Sequence, residues 1–230
     1  MMPILPTRRQ ALIGLGGGLS ALGLAGCGLQ LPGSGDPPRI FTLTPKSTFA
    51  SDIPSVDWQL LVELPNAPTG INSSRIAVQR TALELDYFAR ASWTDNMPRM
   101  VQVLLIESFE NSGRIISVGR QAATLRADYV LKTDIREFQA DYAQNALGAD
   151  GNPTDQPPRI QLRMNFKLVQ MPDRRIVASK TFDHVMQASG PELIDIIKGF
   201  DDSLGVVLRR VVEWTLKEGQ ALRGDASAAG

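Results

Sequence analysis

The sequence predicts an α+β fold: a single compact domain in which a mixed, mainly antiparallel sheet is packed by two main helices, set behind an apolar leader. Three patterns carry that expectation. Ile160, Leu162, Met164, Phe166 and Leu168 alternate without a break with Gln161, Arg163, Asn165 and Lys167, the signature of a strand with one buried face. Leu193, Ile197, Phe200, Leu204, Val207, Val211 and Trp214 step by four and three, which places them on one side of a helix. Met97, Val101, Leu104, Leu105 and Phe109 repeat that spacing in a shorter segment.

The leader comes first in the chain. Thr7-Arg8-Arg9-Gln10 is a positive flank, Ala11 to Ala25 is an apolar run, and Leu24-Ala25-Gly26-Cys27 closes it, the order of a secretory signal ending in a bacterial lipobox. Small side chains at Ala25 and Gly26 let the extended backbone enter a signal peptidase. The thiol of Cys27, the sole cysteine, is then free to take diacylglycerol. Residues 1–26 are therefore expected to be removed, leaving Cys27 as the lipidated first residue of the mature chain. A buried structural thiol is the alternative for Cys27, and its place at the end of a leader argues against it. The run falls short of the ~20 apolar residues that a spanning helix needs, and Gly16, Gly17 and Gly18 weaken it further. Arg8-Arg9 followed by Gln10, Ala11 and Leu12 also resembles a twin-arginine export signal, so Tat and Sec export both stay open. Gly16 to Ala21 fits the glycine pattern of a dinucleotide loop, but no strand precedes it, and phosphate binding is not inferred.

Composition bounds the rest. Removing 26 of 230 residues leaves 204, enough for one domain with a sizeable core. The chain carries 24 basic and 24 acidic residues; without Arg8 and Arg9 the mature part has 22 against 24, a net charge of −2. No basic footprint marks a nucleic-acid partner. With Cys27 acylated no disulfide can form, so the fold must stand on packing.

Residues 27–39 are rich in Gly and Pro and read as a flexible, lipidated tether. The domain is expected over 40–218. Ile40 to Leu43 is a short strand ended by Pro45, and Val56, Trp58, Leu60, Val62 and Leu64 alternate as a second. A turn at Pro65 to Gly70 leads to Arg75-Ile76-Ala77-Val78, then to a strand carrying Leu83, Leu85 and Tyr87. A helix is expected from Trp93 to Gly113, with Thr94 or Asp95 as cap, Pro98 in its first turn and Gly113 as stop. Ile115 to Val118 returns as a strand, and Asp128 to Phe138 is another, with an irregularity between Ile135 and Phe138. Residues 141–159, loaded with Gly, Asn, Asp and Pro, are expected to be a mobile loop; their acids lack the spacing of a calcium loop. Pro172-Asp173 connects the strand Ile160 to Leu168 to a partner over Ile176 to Met186. Ser189-Gly190-Pro191-Glu192 matches a capping box and opens the last helix, which lies across the sheet unless its seam is that of a coiled coil. Residues 219–230 are expected to be a disordered tail.

The census for catalysis is thin. His184 is the only histidine, falls in a strand, and has no cysteine or identifiable partner to serve as nucleophile, so it is read as a partly exposed strand residue. No G-x-S-x-G elbow and no His/Cys ligand cluster occurs, and neither a metal nor a cofactor is expected. Binding or assembly is the default class.

The order of several features resembles a known family. The lipobox is followed by Phe41-Thr42-Leu43-Thr44-Pro45, Arg75-Ile76-Ala77-Val78, and Tyr87 leading to Trp93-Thr94-Asp95 and Pro98; then come Gly113-Arg114-Ile115, Val118-Gly119-Arg120 and Asp128-Tyr129-Val130-Leu131 running to Phe138. Over roughly residues 24–215 this is similar to the ABC-type transport auxiliary lipoproteins, which include the paraquat-inducible protein C type. The resemblance implies a fold like the amino-terminal domain of TolB. It also implies a non-enzymatic periplasmic lipoprotein that docks onto a mammalian-cell-entry (MCE) domain protein, and through it an ABC permease and ATPase, to assist lipid transport between the membranes. Its mooring is expected at the periplasmic face of the outer membrane, because Gly28 rather than Asp follows Cys27. A lipid ligand and a homo-oligomer stay open, as does a structural, protein-binding role in the envelope without transport.

Overall fold

Strand β6 (Tyr129–Asp141) is the spine of the sheet. It pairs antiparallel with β7 (Arg159–Gln170) along its whole length, from Tyr129 opposite Gln170 to Asp141 opposite Arg159. Its other edge is shared by two strands that both run parallel to it: β2 (Val56–Val62) lies beside Tyr129–Leu131, and β3 (Arg75–Thr81) lies beside Ala140 and Asp141. Outward from β3 come β4 (Glu84–Trp93) and then β1 (Arg39–Phe41), outward from β2 comes β5 (Ile115–Gly119), and β8 (Arg175–Gln187) pairs with β7. The computed structural model describes residues 37–120, 126–143 and 156–228. Its mixed sheet of eight strands, packed by helices α1 (Met97–Ser112) and α2 (Leu193–Ala228), is the α+β domain that the periodicities predict. The longest ladders, β6–β7 and β7–β8, are antiparallel.

The inner face follows the alternation. Val56, Trp58, Leu60 and Val62 are buried, as are Ile160, Leu162, Met164, Phe166 and Leu168. Register slips between Ile135 and Glu137, where the pattern of alternation slips too, and the bulge returns Phe138 to the core. Leu64 departs from the expectation at 53% exposure. Beyond Val62, Pro65 has no N–H to donate and Asn66 makes only an isolated bridge to Asp134, so the pleat is lost.

α1 begins later than Trp93. The Trp93 and Thr94 N–H groups bond to the carbonyls of Ser74 and Phe41, and Met97 N–H bonds to Ser73, so sheet pairing holds this backbone until Pro98 can open the helix. Asn96, not Thr94 or Asp95, stands at the N-cap, without a side-chain cap bond. Gly113 ends the helix at φ 60°, and its N–H bonds to Glu110.

α2 spans 36 residues, roughly 54 Å at 1.5 Å per residue, and packs on β7, β8 and α1 rather than forming a coiled-coil seam. Its buried side is wider than the four-three stripe, taking in Ile196, Leu208, Val212 and Leu216. Phe200 sits 5.3 Å from both Trp93 and Phe138, and Trp214 sits 6.0 Å from Phe182, which meets Phe166 at 5.9 Å. Leu193 to Trp214 thus covers the sheet with two aromatic clusters.

The tail expected from residue 219 is helix instead, as far as Ala228. Gly219 lies so close to the buried Trp58 ring that a Cβ there would come within 2.5 Å of it. The Gly219 carbonyl accepts the Tyr129 hydroxyl at 3.3 Å, and Arg223 reaches Asp57 at 2.7 Å and Asp128 at 2.9 Å. Small residues that read as fraying therefore let the helix approach the sheet. The expected loop 141–159 begins and ends inside strands, at Asp141 and Arg159, and residues 144–155 lie outside the described residues.

Two outcomes check this packing. Phe200→Ala is expected to cost about 3–5 kcal/mol in urea denaturation, the range for an aromatic removed from a core; a loss below about 1 kcal/mol would mean the cluster does not hold α2. Gly219→Ala is expected to lower Tm, although replacing a helical glycine ordinarily gains up to about 1 kcal/mol, because the methyl meets Trp58. Gly224→Ala, with no atom within 4 Å of its Cβ position, is expected to raise Tm. Equal responses would contradict the seating of α2 on Trp58.

Candidate functional site

Cys27, the lipobox residues Leu24, Ala25 and Gly26, and the export-signal residues Arg8 and Arg9 lie outside the described residues. The structure takes up the chain at Pro37, where the expected tether runs into the domain. β1 lies parallel to β4, with Arg39 opposite Ala91 and Phe41 opposite Trp93. Past β1, residues 42–55 form no helix or strand, yet they are bonded along their length to both helices. The Thr44 N–H donates to one Asp201 carboxylate oxygen at 2.6 Å, and its hydroxyl reaches the same carboxylate at 2.9 Å and 3.0 Å. Lys46 N–H donates to Ser108 Oγ at 2.9 Å and Ala50 N–H to Glu213 Oε1 at 2.9 Å. Lys217 Nζ lies 2.9 Å from Asp52 Oδ2 and holds that carboxyl below the usual carboxylate range. Leu43 and Ile53, both buried, pin the strap between these bonds.

This strap is what makes sense of Phe41-Thr42-Leu43-Thr44-Pro45. Leu43 fills the core while Thr44 offers two donors to one carboxylate, and the extended conformation that Pro45 imposes on its neighbour keeps the segment out of a helix. Asp201, on α2, is the strap's acceptor. Nothing in the period of the sequence marks a strap, because its partners lie about 60 and 160 positions away, at Ser108, Asp201 and Glu213.

His184 is in β8, opposite Leu162, and is partly buried. Burial, and then the charge of Arg210, push its pKa below the usual histidine value of 6.5, against the opposing pull of Asp183. Arg210 donates to the Asp183 carbonyl at 3.2 Å, which ties β8 to α2 beside the imidazole. Among the described residues no group of three or more His, Cys, Asp or Glu side chains is placed to hold a metal ion.

The sheet face turned away from the helices carries polar side chains in pairs. Lys167 Nζ meets Asp134 at 2.6 Å and lowers its carboxyl pKa. Lys132 meets Glu63 at 3.0 Å, Gln161 donates to Glu137 at 2.8 Å, Gln139 to Gln79 at 3.0 Å, and Asn165 to Thr181 at 3.0 Å. At the edge of this face stands the β3–β4 hairpin. Its Leu83 is fully exposed, and Leu85 is 43% exposed although it touches Gly70. The hairpin is braced at its base, where Tyr87 donates to the Gly70 carbonyl at 2.8 Å and Arg75 lies over the Tyr87 ring at 3.4 Å.

Known proteins share this architecture. A protein of Xanthomonas campestris known from a crystal structure is 34% identical, with a TM-score of 0.72 over 80% of this chain and 98% of its own. A second crystal structure, of an uncharacterized protein, is 10% identical with a TM-score of 0.59 over 77% of this chain and 97% of its own, and so shows a likeness of fold alone. An uncharacterized protein of Bradyrhizobium diazoefficiens is 26% identical over 129 residues, 56% of this chain; the match spans 32% of that curated relative's length. The sequence profile of one family matches residues 41–212, from the strap through most of α2. The chain belongs to the family of the ABC-type transport auxiliary lipoprotein component.

Proposed function

We propose that this chain is exported, acylated at Cys27 after cleavage at the lipobox Leu24-Ala25-Gly26, and held at the periplasmic face of the outer membrane of a Gram-negative cell. There it docks onto an MCE-domain protein and, without catalysing a reaction, assists an ABC permease and ATPase in moving lipid between the membranes. The observation that carries this is the order of parts: the family match opens at Phe41, 14 residues after Cys27, at the point where a Gly/Pro-rich tether meets a strap bonded to both helices. A load on the anchor is thereby passed to α1 and α2 together rather than to one strand. Two or more acyl chains are needed for such a mooring to hold, since one binds membranes only marginally. Among the described residues no helix is long and apolar enough to cross a membrane.

A protein-binding envelope role without transport is the second reading, and the paired polar face and protruding hairpin suit it equally. Affinity capture of the tagged, membrane-extracted protein separates the two. Recovery of an MCE-domain protein with permease and ATPase subunits is expected; recovery of Tol or peptidoglycan-associated proteins without them would overturn the transport reading. Cys27→Ser is expected to abolish palmitate incorporation and leave the precursor uncleaved. Incorporation that persists in the variant would remove the anchor.

His184→Gln is expected to leave transport phenotypes intact, as suits a non-catalytic component, and to alter only the pH dependence of stability. The folded pKa is depressed by burial, so the unfolded chain takes the proton first as pH falls below 6.5, and stability present above that value is lost on the way down. Urea midpoints at about pH 7.5 and about pH 5.5 should fall further for the natural protein than for the variant. A larger fall for the variant would mean that the imidazole is stabilised in its charged form.

A further inference from the structure

On the sheet face turned away from the helices, cross-strand pairing sets side chains in rows, one residue from each of β6, β7 and β8. Asp134, Asn165 and Thr181 make one row, and Glu137, Arg163 and Asp183 make the next. The second row owes its composition to the β6 bulge. Ile135 faces Met164 and Glu137 faces Arg163, so Arg136 is the extra residue; an unbroken ladder would set Arg136 opposite Arg163, two like charges on one rung. The bulge puts a carboxylate there instead.

Acid, base and acid thus stand on neighbouring strands, each about 4.8 Å from the next, yet the row stays open. Among the described residues Arg163 forms no ion pair and no hydrogen bond, although Lys167–Asp134 and Lys132–Glu63 close on the same face. Its neighbours are held in place. Glu137 Oε2 accepts the Gln161 amide at 2.8 Å, which orients the carboxylate and leaves Oε1 free. Arg210, reaching from α2, donates to the Asp183 carbonyl at 3.2 Å and fixes β8 at that residue, and Asn165 donates to the Thr181 hydroxyl at 3.0 Å. Between these groups lies a trough of about 440 Å³, lined by Glu137, Gln161, Arg163, Thr181, Asp183 and Val185. That is the volume of a small-molecule site.

What fits is set by charge and by spacing. A guanidinium takes phosphate or carboxylate through its fork, and a carboxylate one strand away takes an ammonium group. A ligand that satisfies both is a zwitterion whose charges lie about 4.8 Å apart. An α-amino acid is too short, since a single carbon separates its two groups. In phosphoethanolamine an oxygen and two carbons separate phosphorus from nitrogen, which spans one strand spacing. A quaternary ammonium of the same length has no N–H to donate to a carboxylate.

We propose that this trough binds a phosphoethanolamine group, with its phosphate on Arg163 and its ammonium on Glu137, the less exposed of the two flanking carboxylates. The group occurs as a phospholipid headgroup and as a free compound, and either source presents the same chemistry. The site depends on neither the anchor nor the transport partners proposed above.

The test uses the tagged protein extracted from membranes in detergent, labelled with nitrogen-15, and follows its arginine Nε–H resonances; that of Arg163 is the one missing in Arg163→Lys. Free O-phosphoethanolamine is expected to shift it saturably. Phosphocholine and glycine should do so at least about tenfold more weakly, because each lacks one of the two charged contacts. Glu137→Gln is expected to weaken phosphoethanolamine about 10–100-fold and to bring it level with phosphocholine. Micelles doped with phosphatidylethanolamine, against phosphatidylcholine, separate the sources: a shift with the former assigns a lipid headgroup, and its absence beside a response to the free compound assigns a soluble ligand. No saturable shift, or an equal response to phosphocholine in the natural protein, would overturn the proposal. The ranking of the three free ligands on the natural protein holds as a test even where Glu137→Gln fails to fold.

Discussion

The contact on which everything else depends is the side of α2 that lies against β7 and β8. A sheet with one greasy face is unstable in water until that face is covered, and at ~25 cal/mol per Å² the burial of the aromatic clusters around Phe200 and Trp214 is the main favourable term available to a chain without cross-links. Covering the sheet also fixes the strap. Asp201, Glu213 and Lys217 project from α2 at positions where the chain after β1 can reach them, so seating the helix creates the acceptors that bind Thr44, Ala50 and Asp52. The single-sidedness of the fold has a second outcome. With both helices on one face, the other face keeps its own ion pairs and amide bonds, and stays polar.

β6 supplies the asymmetry. One edge is occupied throughout by β7, while the other is divided between β2 and β3, which leaves the β3–β4 hairpin free to run past the end of the spine. The same arrangement dictates that β1 joins as a parallel strand at the outer edge, and hence from which side the chain enters. Strap and hairpin are separate features of the sequence, brought into relation by pairing and packing. His184, the one side chain that titrates near neutrality when unperturbed, is partly buried on β8, under the charges of Arg210 and Asp183.

Much was legible before folding was considered. The unbroken alternation from Ile160 to Leu168, the seven-residue stripe of α2, the slip after Ile135 and the stop at Gly113 each arise from local periodicity or backbone preference, and they reappear as β7, α2, the β6 bulge and an αL cap. The helix after Trp93 was displaced because backbone N–H groups that a helix would use are taken by Ser74 and Phe41, which are remote in sequence. The run of small residues after 218 is helix instead of a frayed tail for a related reason: composition reports how freely a segment could move, and only the neighbouring ring of Trp58 makes a small residue at Gly219 a requirement.

What the sequence alone determined, then, is which faces are apolar and where elements turn, since these are properties of residues a few positions apart. The tertiary structure decided which carboxylate receives Thr44, how far α2 extends, and that β1 joins the outer edge of the sheet parallel to β4. Those are matters of strand order and direction, and pairing between segments a hundred residues apart leaves no period in the chain to be read.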